Sequence, residues 1–237
     1  ESLFSGTGLA QMDGADLNGT NKSYAYMFRR APGFLDVVAY EGDGGANASQ
    51  NVSHNLGVTP ELMIVKARDT ATDGSWFVYT SETGASNKLV LNSTAASASS
   101  SVWASTAPTN SVFTAGNSAS AAGTNQSGID YIAYLFATLP GVSKVGSFVG
   151  DATNGRVIDC GFTNGARFVM MKKASTTGNW IVYDTERGIA SVTEPYLFIN
   201  TTGAEVTGTD YIDPASSGFA VNSPLNTTDT WIFLAIA

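Results

Sequence analysis

Tyr131-Ile132-Ala133-Tyr134-Leu135-Phe136-Ala137 decides the fold, because the chain writes this stretch three times. Ser23-Tyr24-Ala25-Tyr26-Met27-Phe28-Arg29 precedes it, and Trp231-Ile232-Phe233-Leu234-Ala235-Ile236-Ala237 closes the chain. The first two copies run into matching connectors, Arg30-Ala31-Pro32-Gly33-Phe34 and Thr138-Leu139-Pro140-Gly141-Val142. A short run of aromatic and aliphatic residues bounded by polar turns reads as a strand, and it is far too short to cross a membrane. The copies stand about a hundred positions apart, so each ends one repeat. The chain is therefore expected to hold the tail of a preceding repeat in 1–31, a β-sandwich repeat in 32–139 and another in 140–237.

Side chains of a strand alternate between two faces. One row is bulky in every copy: Tyr24, Tyr26 and Phe28, then Ile132, Tyr134 and Phe136, then Ile232, Leu234 and Ile236. This row is expected to face the core, each burial contributing about 1.5–3 kcal/mol. The opposite row carries Tyr131, Ala133 and Leu135 in one copy and Trp231, Phe233 and Ala235 in another. A strand wet on that side would alternate with polar residues, and this one does not. Its cover must come from a loop, an adjacent repeat or a subunit, because soluble monomers seldom expose large apolar patches. Tyr131, Leu135, Trp231 and Phe233 are thus the expected assembly interface.

The 237 residues include 43% hydrophobic and only 14% charged side chains, which fits a folded β-rich body and excludes a disordered chain. No stretch sustains a helical period. The net charge of −8 and the absence of a basic stripe exclude nucleic-acid binding. Arg29-Arg30 and Lys172-Lys173 are isolated pairs, read as solvated strand ends. The single Cys160 rules out an internal disulfide and any multi-cysteine metal cluster, and is expected in the core. No signal peptide or transmembrane run is present, and Glu1 opens mid-repeat, as in an excerpt of something longer.

In chain order, strands are expected over Leu35–Tyr40, Glu61–Lys66, Trp76–Tyr79, Lys88–Asn92 and Val112–Thr114 before the closing strand, with a long Ala/Ser loop from Ala95 to Ser105. The second unit repeats this plan: Lys66 matches Lys172, Trp76 matches Trp180, Asn92 matches Asn200 and Phe113 matches Phe219. The offsets drift, as they do when strands keep register and loops change length. Short strands separated by turn signals give an all-β fold of tandem, jelly-roll-like β-sandwich repeats.

Chemistry-bearing residues are sparse. His54 is the only histidine, so any nucleophilic triad would have to use it, and it stands in a turn before Asn55-Leu56-Gly57. The best carboxylate cluster for glycoside cleavage is Asp184-Thr185-Glu186-Arg187, but Glu186 matches Glu82 and Gly188 matches Gly84. A feature that recurs after a strand in both repeats reads as a turn. Asp43, Asp69 and Asp73 lie near glycines, which leaves calcium in these loops an open reading, although none has the spacing of an EF-hand loop. Eight Asn-x-Ser/Thr sequons occur, at Asn18, Asn21, Asn47, Asn51, Asn92, Asn125, Asn200 and Asn226. Five fall at repeat-equivalent places, which favours a turn or strand-end role over glycosylation.

His54-Asn55-Leu56-Gly57-Val58-Thr59-Pro60-Glu61-Leu62-Met63-Ile64-Val65-Lys66, with Trp76-x-Val78-Tyr79 and Leu91-Asn92-x-Thr94 after it, resembles a repeat domain of large structural proteins in tailed phages, especially marine phages and cyanophages. The closing strand and Leu139-Pro140-Gly141 fit the same pattern. The second repeat departs from it, with Asn164-Gly165-Ala166-Arg167 in place of Gly57-Val58-Thr59-Pro60. The resemblance implies a virion appendage component such as a tail fibre, and carries no catalytic motif.

The sequence is therefore read as non-enzymatic and without cofactor or metal. It is expected on the virion surface, supporting host attachment as an oligomer of itself, a trimer being one form, or with other virion proteins. One alternative is a carbohydrate-binding module, for which Trp103 in the Ala/Ser loop is the expected contact with a host glycan. The other is a depolymerase fragment, which needs two carboxylates across a cleft.

Overall fold

Leu62-Met63-Ile64-Val65 and Val169-Met170-Met171 are apolar in both alternating rows, the mark of strands covered on both faces. In the computed structural model, which describes residues 4–5, 8–9, 26–44, 49–69, 74–116, 123–223 and 225–237, they run through the centres of two large sheets. The elements are β1 (Phe4–Ser5), β2 (Gly8–Leu9), β3 (Leu35–Glu41), β4 (Ser49–Ser53), β5 (Leu62–Ala67), β6 (Trp76–Thr80), β7 (Asn87–Val90), β8 (Ala98–Ser99), β9 (Val112–Gly116) and β10 (Asp130–Phe136). They continue with β11 (Ser143–Val149), β12 (Arg156–Asp159), β13 (Phe168–Lys173), β14 (Ile181–Asp184), β15 (Leu197–Phe198), β16 (Ile212–Ala215), β17 (Gly218–Val221) and β18 (Thr230–Ile236). The fold is all-β and β-sandwich-like, with no helix among the described residues.

The two halves share one strand order. The first large sheet runs β3-β10-β5-β6-β7-β8 and the second β11-β18-β13-β14-β15, all neighbours antiparallel. Register agrees as well: Tyr134 lies opposite Val37 and Ile64, and Leu234 lies opposite Val145 and Met170. A small sheet covers one face of each large one, β4-β9 in the first half and β12-β17-β16 in the second. The organising strand is central both times.

The burial of that strand corrects the expected faces. Tyr131, Ala133 and Leu135 pack with Val52, Trp103 and Phe113 inside the first sandwich, and Trp231, Phe233 and Ala235 pack with Ile158, Phe219 and Val221 inside the second. Tyr131, Leu135, Trp231 and Phe233 are each 3% exposed or less, so the chain's own small sheets occupy the surface expected to be an assembly interface. The bulky row expected in the sandwich core points the other way. Phe136, Ile232 and Leu234, with Tyr134 and Ile236 beside them, join Leu62, Ile64, Met170, Trp180 and Val182 in a third cluster between the two large sheets. Four layers of sheet are thus stacked into one body, and both rows are apolar because both are buried.

Hydrogen bonds cross this seam. Ser97 N–H donates to the Ala174 carbonyl at 2.9 Å, Gly178 N–H to Thr94 at 2.9 Å and the Trp180 indole to Val90 at 2.9 Å. Lys172, fully buried, donates its ammonium to Gly178 O at 2.7 Å and Thr94 O at 3.1 Å. No carboxylate among the described residues is paired with it, and burial pushes it down to about 8.

The earliest copy of the organising stretch is not a strand where it is described. Residues 26–30 are irregular and strap one edge of the seam, and Tyr24 lies outside the described residues. Phe28 meets Phe34, Phe136 and Phe168 edge-on at 5.7–6.4 Å, touching both halves. Tyr26 donates its hydroxyl to Asp184 Oδ2 at 2.6 Å.

Candidate functional site

Repeat-equivalent polar residues hold the scaffold. Asn92 and Asn200 accept the backbone N–H of Trp76 at 3.1 Å and of Trp180 at 2.8 Å, fixing the start of the same strand in each half. Asn125 and Asn226 are both fully buried. The first accepts from Asp43 N–H and donates to its carboxylate, and the second does the same with Asp151. These four sequons serve the fold; Asn18, Asn21 and Asn47 lie outside the described residues.

His54 is buried, accepting Leu56 N–H at Nδ1 and reaching the Thr109 carbonyl with Nε2 at 3.2 Å, as a loop brace. Asp184 closes a turn: it accepts Arg187 N–H at 2.8 Å, pairs with the Arg187 guanidinium and takes the Tyr26 hydroxyl, while Glu186 stands exposed. Asp43 is engaged by Asn125, Asp69 accepts Asp130 N–H, and Asp73 lies outside the described residues. Among the described residues no three His, Cys, Asp or Glu side chains gather as metal ligands. Cys160 is in the second core, where burial pushes its thiol up to about 12.

Trp103, the expected glycan contact, is fully buried. It is driven there because the Ala/Ser loop folds back over the first sandwich, placing the indole edge-on to Tyr79 at 6.0 Å. The matching tyrosine of the second half, Tyr183, meets Tyr196 at 5.4 Å instead.

Two concavities meet at Tyr211 in the second half. One cavity of about 180 Å³ is walled by Tyr196, Phe198, Tyr211 and Trp231, with Lys173 and Asn179 at its edge. A second, of about 550 Å³, is lined by Asn154, Asp210, Tyr211, Asp213 and Asn222. Tyr211 belongs to both. Its ring lies tilted against Tyr196 at 5.5 Å, and Glu194 holds its backbone by accepting both Tyr211 N–H and Ile212 N–H at Oε1. Glu194 is fully buried, and desolvation raises its pKa. Asn222 donates to Asp210 at 2.6 Å and to Asp213 at 3.0 Å, so one amide spans both carboxylates. Lys173 lies over Trp231 at 5.5 Å and pairs with Asp229 at 2.8 Å. That ammonium, with the Thr176 and Thr227 hydroxyls, holds the Asp229 carboxyl well below its usual range.

Sequence reasoning missed Tyr196, Phe198, Tyr211, Asp210 and Asp213. The available signal was the stretch from Glu194 to Asp213, in which Tyr196 and Phe198 stand where the first repeat has Lys88 and Val90, and Tyr211 follows beyond Asn200, the match of Asn92. That stretch leads into β16, the strand by which the second small sheet exceeds the first.

Fold and cavity together define a duplicated all-β body with an aromatic, acid-rimmed pocket in its second half. The chain belongs to the family described as a domain of unknown function (DUF7483), whose model matches residues 15–237 as one unit. No curated protein and no solved structure matches it.

Proposed function

We propose that the chain is a non-enzymatic structural module of a phage fibre or surface appendage, carried on the virion and supporting host attachment with copies of itself or other virion proteins. The observation that supports this most is the seam. A third apolar cluster, with main-chain and side-chain bonds across it, fuses two repeats into a rigid four-layer block, the behaviour needed of a load-bearing spacer. The resemblance of the His54–Lys66 stretch to phage structural repeats supplies the setting. The carboxylates of the Asp184 turn, the best sequence candidates for glycoside cleavage, are engaged by Arg187 and Tyr26 or stand at an exposed turn, which does not favour the depolymerase reading.

Antibodies raised against the chain test this on purified particles of a phage that encodes it. Gold label on fibres or surface projections in electron micrographs is the expected result. A protein abundant in infected cells but absent from washed particles overturns the proposal.

A further inference from the structure

We propose that the two cavities sharing Tyr211 form one binding site for a neutral saccharide. The placement argues for a purpose beyond folding. The first repeat closes its sandwich with Trp103, while the second packs Tyr196 in its core and pairs a third strand, β16, into its small sheet. The two cavities therefore open where the duplicated halves differ.

The chemistry selects the ligand class. A sugar ring presents a C–H face and a belt of hydroxyls, each able to donate and accept. Tyr211 offers a half-buried aromatic face at the junction, next to Phe198 in one cavity and to Asp210 and Asp213 in the other. Each carboxylate is an acceptor only and takes hydroxyl donors in charge-assisted bonds. At the aromatic end Trp231 lines the wall, 2% exposed, and its indole N–H has no acceptor among the described residues. Sugar sites use such convergent polar groups in a mostly apolar concavity.

Two competing ligands fit less well. A cation shared by Asp210 and Asp213 would occupy the position taken by the Asn222 amide, which donates to both. An anionic sugar would meet both carboxylates with Glu194 buried behind them.

The proposal rests on the appendage reading only for the source of the ligand, a host-surface glycan. An array of neutral glycans is the probe, with saturation-transfer NMR on the strongest binder. Binding is expected to weaken about tenfold in Asp210→Ala and in Asn154→Ala, each the loss of one good polar contact at an exposed residue. Asp210 also accepts from Asn222 and Asn154 from Ser223 N–H, so thermal melts of both variants separate a lost sugar contact from a lost fold. Tyr211→Ala is expected to abolish it. No bound glycan, binding unchanged in all three variants, or binding of calcium in place of sugar each overturns the site. Particle labelling is read independently, so the loss of one reading leaves the other standing.

Discussion

Trp180 donates its indole N–H to the carbonyl of Val90 at 2.9 Å, tying the start of β14 in one repeat to the end of β7 in the other. The indole is fully buried in the cluster between the large sheets, whereas Trp76, its repeat partner, is only partly buried against the same cluster. Duplication gave both tryptophans one backbone role, with the N–H capped by Asn92 or Asn200, and the seam then gave them unequal side-chain roles.

Trp180→Phe is therefore expected to cost about 1–3 kcal/mol, through the orphaned Val90 carbonyl and the space left behind. Because the seam is shared, the parent should unfold in urea as a single transition with both halves coupled. Circular dichroism and tryptophan fluorescence check this; two well-separated transitions in the parent would contradict the four-layer block.

Lys172 sets a pH dependence. Burial lowers its folded value to about 8 from an ordinary value of 10.5, so between these the unfolded chain binds more protons. Stability must then rise with pH across that window, because folding no longer has to bury a charge as the ammonium loses its proton. Relative to Lys172→Met, the parent should gain up to about 3 kcal/mol between pH 7 and 10, at about 1.4 kcal/mol per unit. Denaturant titrations at each pH measure the difference; parallel curves for parent and variant would refute the assignment.

Asn226 is fully buried and binds the Asp151 backbone N–H, the Asp151 carboxylate and the Thr153 carbonyl. Asn226→Ala should cost about 2–4 kcal/mol, several buried bonds being lost together. Asn125→Ala, which breaks the equivalent pair with Asp43, should fall in the same range. Thermal melts of the two variants check whether the duplicated brace is energetically duplicated.

Gly150 shows how closely backbone approaches backbone at that brace. A Cβ there would stand 1.6 Å from the Thr227 carbonyl oxygen, and at the matching Gly42 it would stand 2.3 Å from the Gln126 oxygen. Gly150→Ala should cost about 3 kcal/mol or more through forced backbone displacement. Gly74→Ala, with open space around it, should stay within about 0.5 kcal/mol of the parent. Equal melting temperatures for the two variants would contradict the close approach.

The pairing of strands was legible residue by residue. Tyr131–Ala137 and its copy at Trp231–Ala237, with Lys66 and Lys172, Trp76 and Trp180, and Asn92 and Asn200, mark one strand order written twice, and the register of β10 and β18 agrees with them. The pocket was not legible, because Tyr196, Phe198, Asp210, Tyr211 and Asp213 lie on both sides of the matched Asn200 and are brought together only by folding.

Local pattern determined that the organising strand is apolar on both faces, since alternation is written in the order of side chains along the chain. Which row faces which partner was decided only by the tertiary structure. Tyr131 and Trp231 turn to the small sheets and Phe136 and Leu234 to the seam, as the stacking of the sheets dictates. Trp103 makes the same point: an indole in an Ala/Ser loop reads as exposed until the loop folds back and the first core takes it in. Burial depends on contacts between residues far apart in sequence, and the order of side chains along one strand cannot name the surface that will cover them.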